Sequence, residues 1–176
     1  RWFPAQRCKR NDGTGYWDCR ALATPPPPKA PVAGSTVFQT VSDPQVARIV
    51  PSLVTVTFDM PYAVAGVTER HYYGTGLVVD AARGLVVVDR NTVPVSLGDV
   101  RVTFAGTLEV PGRVVFVHPL HNLAMLQYDP TLIGTTPVRS AKLGRKPLRA
   151  GDEVTVVGLA PDTGIKSRTT SVADID

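Results

Sequence analysis

The sequence predicts an all-β fold, either a barrel or a sandwich, over most of its length. Short apolar runs rich in β-branched residues follow one another, and Gly, Pro and Asp separate them at roughly ten-residue intervals. No part of this region sustains the 3.6-residue periodicity of an amphipathic helix, so we assign the runs to strands. They are Leu53–Phe58, Gly76–Val79, Leu85–Asp89, Val100–Phe104, Arg113–Val117, Leu123–Tyr128 and Glu153–Val157.

The composition is that of a globular chain with a sizeable core, because 43% of the 176 residues are hydrophobic and 19% are charged. No stretch approaches the roughly 18–20 consecutive apolar residues that a membrane-spanning helix needs, and we expect no membrane partner. The net charge of +4 arises partly from the N-terminal residues. Because basic and acidic residues alternate elsewhere, we interpret the charge as a solvated surface and do not expect nucleic-acid binding.

Residues 1–24 are predicted to be the hairpin-like tail of a preceding region. The turn-forming sequence NDGTG at 11–15 lies between two aromatic clusters, and Trp17 is expected to be packed because an exposed indole is unfavourable. The two cysteines of the chain, Cys8 and Cys19, lie in this region. A disulfide between them and two reduced thiols both remain open, whereas zinc is not expected without further ligands nearby.

Residues 25–41 are predicted to be a proline-rich linker that leads into a barrel domain over 42–176. Four consecutive prolines, Pro25–Pro28, favour an extended polyproline II segment. Such a segment also suits a proline-binding groove, although a linker is the simpler interpretation.

A short helix over residues 42–50 is predicted to open the barrel domain. Ser42 or Asp43 can act as the N-cap, and Pro44 suits the first helical position. Pro51 is expected to end the helix, because proline cannot donate the backbone hydrogen bond that would continue it.

Two segments in the middle of the chain resemble the first β-barrel of the HtrA/Deg family of trypsin-like serine proteases. Gly74-Thr75-Gly76 leads into an apolar strand, which is followed by Leu85–Val88 and the sequence RNTV at 90–93. The second segment is HNLAML at 121–126. In the family, the corresponding segments carry the catalytic His and the catalytic Asp.

The C-terminal part of the chain extends this resemblance to about residues 45–176. Family members carry a Gly-Asp-x-Val segment followed by Gly-x-Pro, which matches Gly151, Asp152, Val154, Gly158 and Pro161. In the family this segment leads into a second barrel, and the catalytic Ser follows a few dozen residues later. We therefore expect a complete first barrel and the start of a second, truncated before the nucleophile.

The resemblance places Asn91 where the family has its catalytic His, and Asn122 where it has its catalytic Asp. An Asn amide can neither accept and return a proton near neutral pH nor carry the charge that stabilises an imidazolium. A shift of the alignment by a residue does not restore a base, since no His lies within 18 residues of Asn91. Among family members, the closest pattern is the degenerate second protease domain of the tandem-domain plant Deg and fungal nuclear HtrA-like proteases.

Other candidate chemistry in the sequence has a simpler structural interpretation. His118 and His121 have a spacing that suits a metal pair on a helix, but they precede an apolar strand and no further ligand is near. His71 is interpreted as a surface or barrel-rim residue, and Gly74-Thr75-Gly76 as a tight turn at a strand entry rather than a phosphate loop. Asn91 is interpreted as a rim residue whose amide caps local backbone groups. None of five serines has the sequence context of a nucleophile: Ser52, Ser96, Ser140, Ser167 and Ser171.

These observations predict a pseudoprotease domain of a larger HtrA/Deg-type serine endopeptidase, with no catalytic residue, cofactor or metal of its own. The resemblance implies an active upstream domain, neighbouring PDZ modules and a trimeric assembly, with protein or peptide substrates as partners. It also implies an intracellular location, the nucleus or the plastid. Two alternatives stay open: an active endopeptidase with nonstandard residues, and a barrel that binds extended peptides by strand addition.

Overall fold

The structure is a computed structural model that describes residues 9–10, 13, 17–18, 30–60, 69–160 and 164–174. The chain divides into two compact units, residues 1–30 and 31–176. In the first unit, β1 (Lys9–Arg10) pairs antiparallel with β2 (Trp17–Asp18), which is the pairing that the predicted hairpin requires. The expectations for Cys8, Cys19 and the packing of the Trp17 side chain lie outside what is described.

The predicted helix is confirmed as α1 (Pro44–Ile49), and Asp43 is its N-cap. The Asp43 carboxylate accepts hydrogen bonds from the backbone N–H groups of Gln45 and Val46, at 2.8 and 3.4 Å. The α-helix ends at Ile49, before Pro51, as predicted, and a separate 3₁₀ turn follows over Val50–Ser52. Pro51 is tolerated there since the first residues of a 3₁₀ turn need no N–H donor.

Eight strands follow in the second unit, and they confirm an all-β fold with 41% strand and 10% helix. Each predicted apolar run lies within or overlaps one of them, and the added strand, β10, was missed because its residues are mostly polar. No helix of the described residues is long and apolar enough to cross a membrane. The strands are β3 (Leu53–Asp59), β4 (His71–Asp80), β5 (Leu85–Val88), β6 (Asp99–Phe104), β7 (Leu108–Val117), β8 (Ala124–Tyr128), β9 (Glu153–Leu159) and β10 (Ile165–Ser171).

Six of these strands form a closed antiparallel barrel in the order β3-β4-β5-β8-β7-β6, and β6 pairs back with β3. Alternation along β3 shows how the core is filled: Val54, Val56 and Phe58 are fully buried, while the residues between them are partly exposed. Each such side chain contributes about 1.5–3 kcal/mol by leaving water. The barrel is consistent with the trypsin-like barrel that the resemblance implies.

The Gly74-Thr75-Gly76 segment does not form the predicted turn; it lies inside β4. The expectation that a side chain at these glycine positions would clash with its neighbours is nevertheless correct. A Cβ on Gly74 would lie 2.1 Å from the Thr92 hydroxyl, and one on Gly76 would lie 2.7 Å from Val86. The glycines therefore act within the strand, where the neighbouring side chains leave no room for a methyl group.

β9 and β10 pair antiparallel as a separate two-stranded ribbon, from Glu153 opposite Ser171 to Leu159 opposite Ile165. The backbone N–H of Leu159 donates to the Thr75 hydroxyl at 2.8 Å, which ties the ribbon to the outside of β4. This ribbon occupies the region where the resemblance implies the start of a second barrel.

The part of the predicted linker that belongs to the second unit, residues 31–41, lies against the barrel. The N–H of Gly34 donates to the Leu132 carbonyl at 3.0 Å, and the N–H of Thr36 donates to the Thr136 hydroxyl at 3.0 Å. Phe38 packs against the core of the barrel. The domain boundaries at 24 and 41 stay predictions.

Tyr128 lies in the barrel core, and its phenol has no hydrogen-bond partner among the described residues. Burial, with a smaller contribution from Asp80, raises the pKa of Tyr128 from 10.0 to about 12. Because the folded-state pKa lies above the unfolded value, this contribution to stability is complete below pH 10 and is lost as the pH rises towards 12.

We expect Tyr128→Phe to leave the free energy of unfolding at pH 7 unchanged or to raise it by up to about 1 kcal/mol, since the change removes an unpaired buried hydroxyl. At pH 11, midway between the two pKa values, the wild-type protein should have lost about 1.4 kcal/mol relative to the variant. Urea denaturation at pH 7 and pH 11 measures both quantities. Tyr73→Phe, at a 64% exposed tyrosine, is the control. A marked destabilisation at pH 7 would mean that the hydroxyl has a partner.

Candidate functional site

The rim site comprises residues 89–93, after β5, and residues 118–122, before β8. The register of the barrel brings the two segments together. β5 and β8 are antiparallel neighbours in which Val88 lies opposite Ala124. The residues just after β5 and just before β8, which include Asn91 and Asn122, therefore meet at one end of the barrel.

The first rim segment is a turn that the Asp89 side chain holds. One carboxylate oxygen of Asp89 accepts the Thr92 N–H at 3.0 Å, and the other accepts the Thr92 hydroxyl at 2.8 Å. Thr92 and Val93 are buried, whereas Asn91 is exposed. The side chain that caps this turn is thus Asp89, and the expectation that the Asn91 amide would do so is wrong.

The second rim segment is joined to the first by Asn122. Its amide oxygen accepts the backbone N–H of Arg90 at 2.8 Å, directly before Asn91. The Arg90 guanidinium in turn donates to the Pro119 carbonyl at 3.1 Å. Asn122 therefore acts as a backbone-capping group between the two segments, a role that needs an acceptor oxygen and no charge.

The two rim histidines form a turn rather than part of a helix. The Nδ1 atom of His118 accepts backbone N–H groups from Leu120 and His121, at 3.2 and 2.9 Å. This arrangement places the ring proton of a neutral His118 on Nε2. The rings of His118 and His121 lie 4.5 Å apart between centroids. The described residues contain no group of three His, Cys, Asp or Glu side chains that could hold a metal ion.

The candidate serines are distributed over the fold rather than gathered at the rim site. Ser52 is buried, Ser140 accepts the Ala81 N–H at 2.9 Å, and Ser167 and Ser171 lie in β10. Ser96 is exposed in the loop after β5. Throughout the ranges that the structure describes, no serine hydroxyl has a hydrogen bond to a histidine ring.

A carboxylate–imidazole pair that sequence reasoning missed lies at the other histidine. Asp59 and His71 are cross-strand partners, and the Asp59 carboxylate lies 2.6 Å from His71 Nδ1. Asp59 also pairs with Arg101, and the side chain of His71 is 85% exposed, as expected for a surface residue. The sequence alone could not predict this pair, because Asp59 and His71 are 12 positions apart and only the register of β3 and β4 brings them together. The pair orients an imidazole, but no nucleophile among the described residues is hydrogen-bonded to it.

No family model matches the chain. Curated relatives cover nearly all of it. The pro-apoptotic serine protease nma111 of Neosartorya fischeri is 42% identical over 178 residues, and that of Aspergillus clavatus is 43% identical over 178 residues. Both matches include 99% of this chain and 17% of the relative. The protein of the same name from Chaetomium globosum is 41% identical over 94% of this chain and 16% of its own length.

The chain spans about one sixth of the length of these relatives. Its identity to them extends through the barrel and through the ribbon that follows, so the similarity concerns the whole of the described fold rather than a local motif. Over nearly its whole length, the chain is therefore a homologue of one segment of the fungal pro-apoptotic serine protease nma111, an HtrA-family protein.

Proposed function

We propose that this chain is a non-catalytic trypsin-like domain of a larger HtrA-type serine endopeptidase, and that it serves assembly or the binding of substrates and partner proteins. The observation that supports this proposal most directly is the chemistry of the rim site. By the resemblance, Asn91 and Asn122 stand at the positions of the family's base and acid, and the Asn122 oxygen accepts the Arg90 N–H.

Neither Asn91 nor Asn122 can act as the missing base. A serine protease needs a group that takes the serine proton and returns it to the leaving amine, and an amide does not titrate in that range. The carboxylate of the first rim segment, Asp89, has both oxygens engaged by Thr92. His118 uses its Nδ1 lone pair within its own turn, which leaves it without a carboxylate to orient it.

The closed barrel also bears on the alternative of peptide binding by strand addition. Strand addition needs a free edge with unpaired N–H and C=O groups. Because β6 pairs back with β3, the barrel itself has no edge, and such binding would be confined to the β9–β10 ribbon. Strand addition to the barrel itself is therefore disfavoured.

The parts of the proposal that concern the whole protein rest on the family resemblance alone. They are an active upstream protease domain, adjacent PDZ modules, a homotrimeric assembly, and a nuclear or plastid location. The relatives named above are serine proteases about six times as long as the matched segment, which leaves room for such additional domains.

The test is to treat the full-length protein with a fluorophosphonate probe and to locate the labelled serine by mass spectrometry. We expect no label on any serine of this domain, including serines that follow Asp176. In parallel, Asn91→Ala, which changes an exposed side chain, should leave peptide hydrolysis by the full-length protein within about twofold of wild type. Loss of an acting general acid or base would instead lower the rate about 10²–10⁴-fold. Label on a serine of this domain would refute the proposal.

A further inference from the structure

The segment 139–149, with the sequence RSAKLGRKPLR, is called the basic segment. It carries five cationic side chains and no acidic one. All five are exposed, and within residues 30–60, 69–160 and 164–174 none of them forms an ion pair. They are Arg139, Lys142, Arg145, Lys146 and Arg149. This concentration of unpaired positive charge is not required by the fold.

The basic segment is held at both ends and open between them. The Arg139 N–H donates to the Pro51 carbonyl at 3.0 Å and the Ala141 N–H to the Val78 carbonyl at 2.8 Å, which fixes its start on the barrel. At its end, the Arg149 N–H donates to the Asp152 carboxylate at 2.9 Å. A Cβ added at Gly144 would meet no atom within 4 Å. The cations are thus displayed along an anchored chain at most roughly 40 Å long.

Apolar side chains alternate with these charges. Leu143 is 68% exposed and Leu148 is 55% exposed, and both lie within the basic segment. Val156 of the β9–β10 ribbon is 58% exposed and lies opposite Arg168. The ribbon therefore also presents an exposed apolar side chain beside a cation. A ligand that matches this surface needs carboxylates for the cations and apolar groups for the leucines.

We propose that the basic segment binds an acidic polypeptide stretch in which Asp or Glu residues alternate with large apolar residues. This inference rests on the proposed function and deepens it, because it names the chemical class of the partner. Charge complementarity selects the acidic peptide and makes the binding affinity depend on salt. Burial of Leu143 and Leu148 supplies the part of the affinity that salt does not weaken.

A nucleic acid would also complement the charge, but the residue types of the segment do not favour it. Proteins that bind single-stranded nucleic acid combine cations with aromatic side chains on which the bases stack. No Trp, Tyr or Phe occurs after Tyr128 in this chain. Leucines between the cations suit the apolar side chains of a peptide better than they suit phosphates and sugars.

The experiment measures fluorescence anisotropy of a labelled peptide of alternating Glu and Leu, titrated with the intact protein. We expect binding at 0.1 M salt and clear weakening at 1 M, where the screening length falls from about 10 to about 3 Å. A triple variant, Lys142→Gln with Arg145→Gln and Lys146→Gln, should bind about tenfold more weakly or worse. The matched control removes three exposed cations outside the basic segment, by Arg48→Gln, Arg70→Gln and Arg83→Gln, and should bind within about twofold of wild type.

A second pair of measurements separates the apolar contribution from simple charge attraction. Leu143→Ser with Leu148→Ser should weaken binding of the Glu-Leu peptide about tenfold and leave binding of a Glu-Gly peptide unchanged. Equal binding by the triple variant and wild type, or tighter binding of oligothymidine than of the peptide, would overturn the inference. Neither outcome affects serine labelling, so a failure here is distinguishable from a failure of the proposed loss of catalysis.

Discussion

Replacing Phe58 by alanine is expected to lower the free energy of unfolding by about 3–5 kcal/mol. Phe58 is fully buried in the barrel, and its ring covers Gly98 so closely that a Cβ there would lie 2.3 Å from it. The ring also lies 6.3 Å from that of Tyr72, between centroids. Truncation removes these contacts and leaves a cavity that a closed barrel cannot collapse to fill. Urea denaturation followed by circular dichroism measures the change.

Tyr73→Ala is the matched control for Phe58→Ala. It truncates an aromatic residue on the adjacent strand β4 that is 64% exposed on the outside of the barrel. We expect it to change stability by about 1 kcal/mol or less, because little apolar surface is returned to water. If both variants had similar effects, the assignment of inward and outward faces on β3 and β4 would be wrong.

Gly84→Ala is expected to lower the free energy of unfolding by about 2–4 kcal/mol, for two reasons that act together. Gly84 has a φ of +67°, a left-handed conformation that disfavours a side chain, and its Cβ would lie 2.1 Å from the backbone oxygen of Tyr128. The Gly84 carbonyl also accepts the Tyr128 N–H at 3.0 Å. Hydrogen exchange at Tyr128, together with thermal denaturation, should show both the loss of stability and the loss of this bond.

Gly144→Ala provides the comparison, since the same substitution meets no atom within 4 Å there. It should be neutral or stabilise the protein by about 0.4–1 kcal/mol, because alanine restricts the unfolded chain more than glycine does. A destabilisation by Gly84→Ala no larger than that of Gly144→Ala would contradict the close approach of the β4–β5 turn to β8.

Strands were predicted from the sequence most accurately where apolar and polar residues alternate regularly. Leu53–Asp59 was found almost to the residue, because β-branched and apolar residues alternate without interruption. β7 was predicted to begin at Arg113 but begins at Leu108, since Pro111 and Gly112 are typical strand breakers. β10 was missed because a ribbon exposed along most of its length carries no apolar pattern to detect.

The rim site could be predicted only in part, and for a different reason. The assignment of Asn91 and Asn122 to the catalytic positions came from the resemblance and stays a prediction, and the register of β5 and β8 brings the two segments that carry them to one end of the barrel. The caps that shape the site, Asp89 on Thr92 and Asn122 on the Arg90 N–H, depend on side-chain orientations at the two chain reversals. No periodicity in a sequence specifies such orientations, because they are set by tertiary packing.

The strand order of the barrel has a consequence for its synthesis. β8 lies between β5 and β7, although it is the last of the six strands in the chain. A nascent chain that has emerged only as far as Val117 can pair β3 with β4 and β6, β4 with β5, and β6 with β7. It then exposes two unpaired edges, on β5 and β7, until residues 124–128 leave the ribosome. Pairing of β8 covers the free edges of β5 and β7 at the same time. The risk of aggregation is therefore greatest if translation pauses just before residues 124–128.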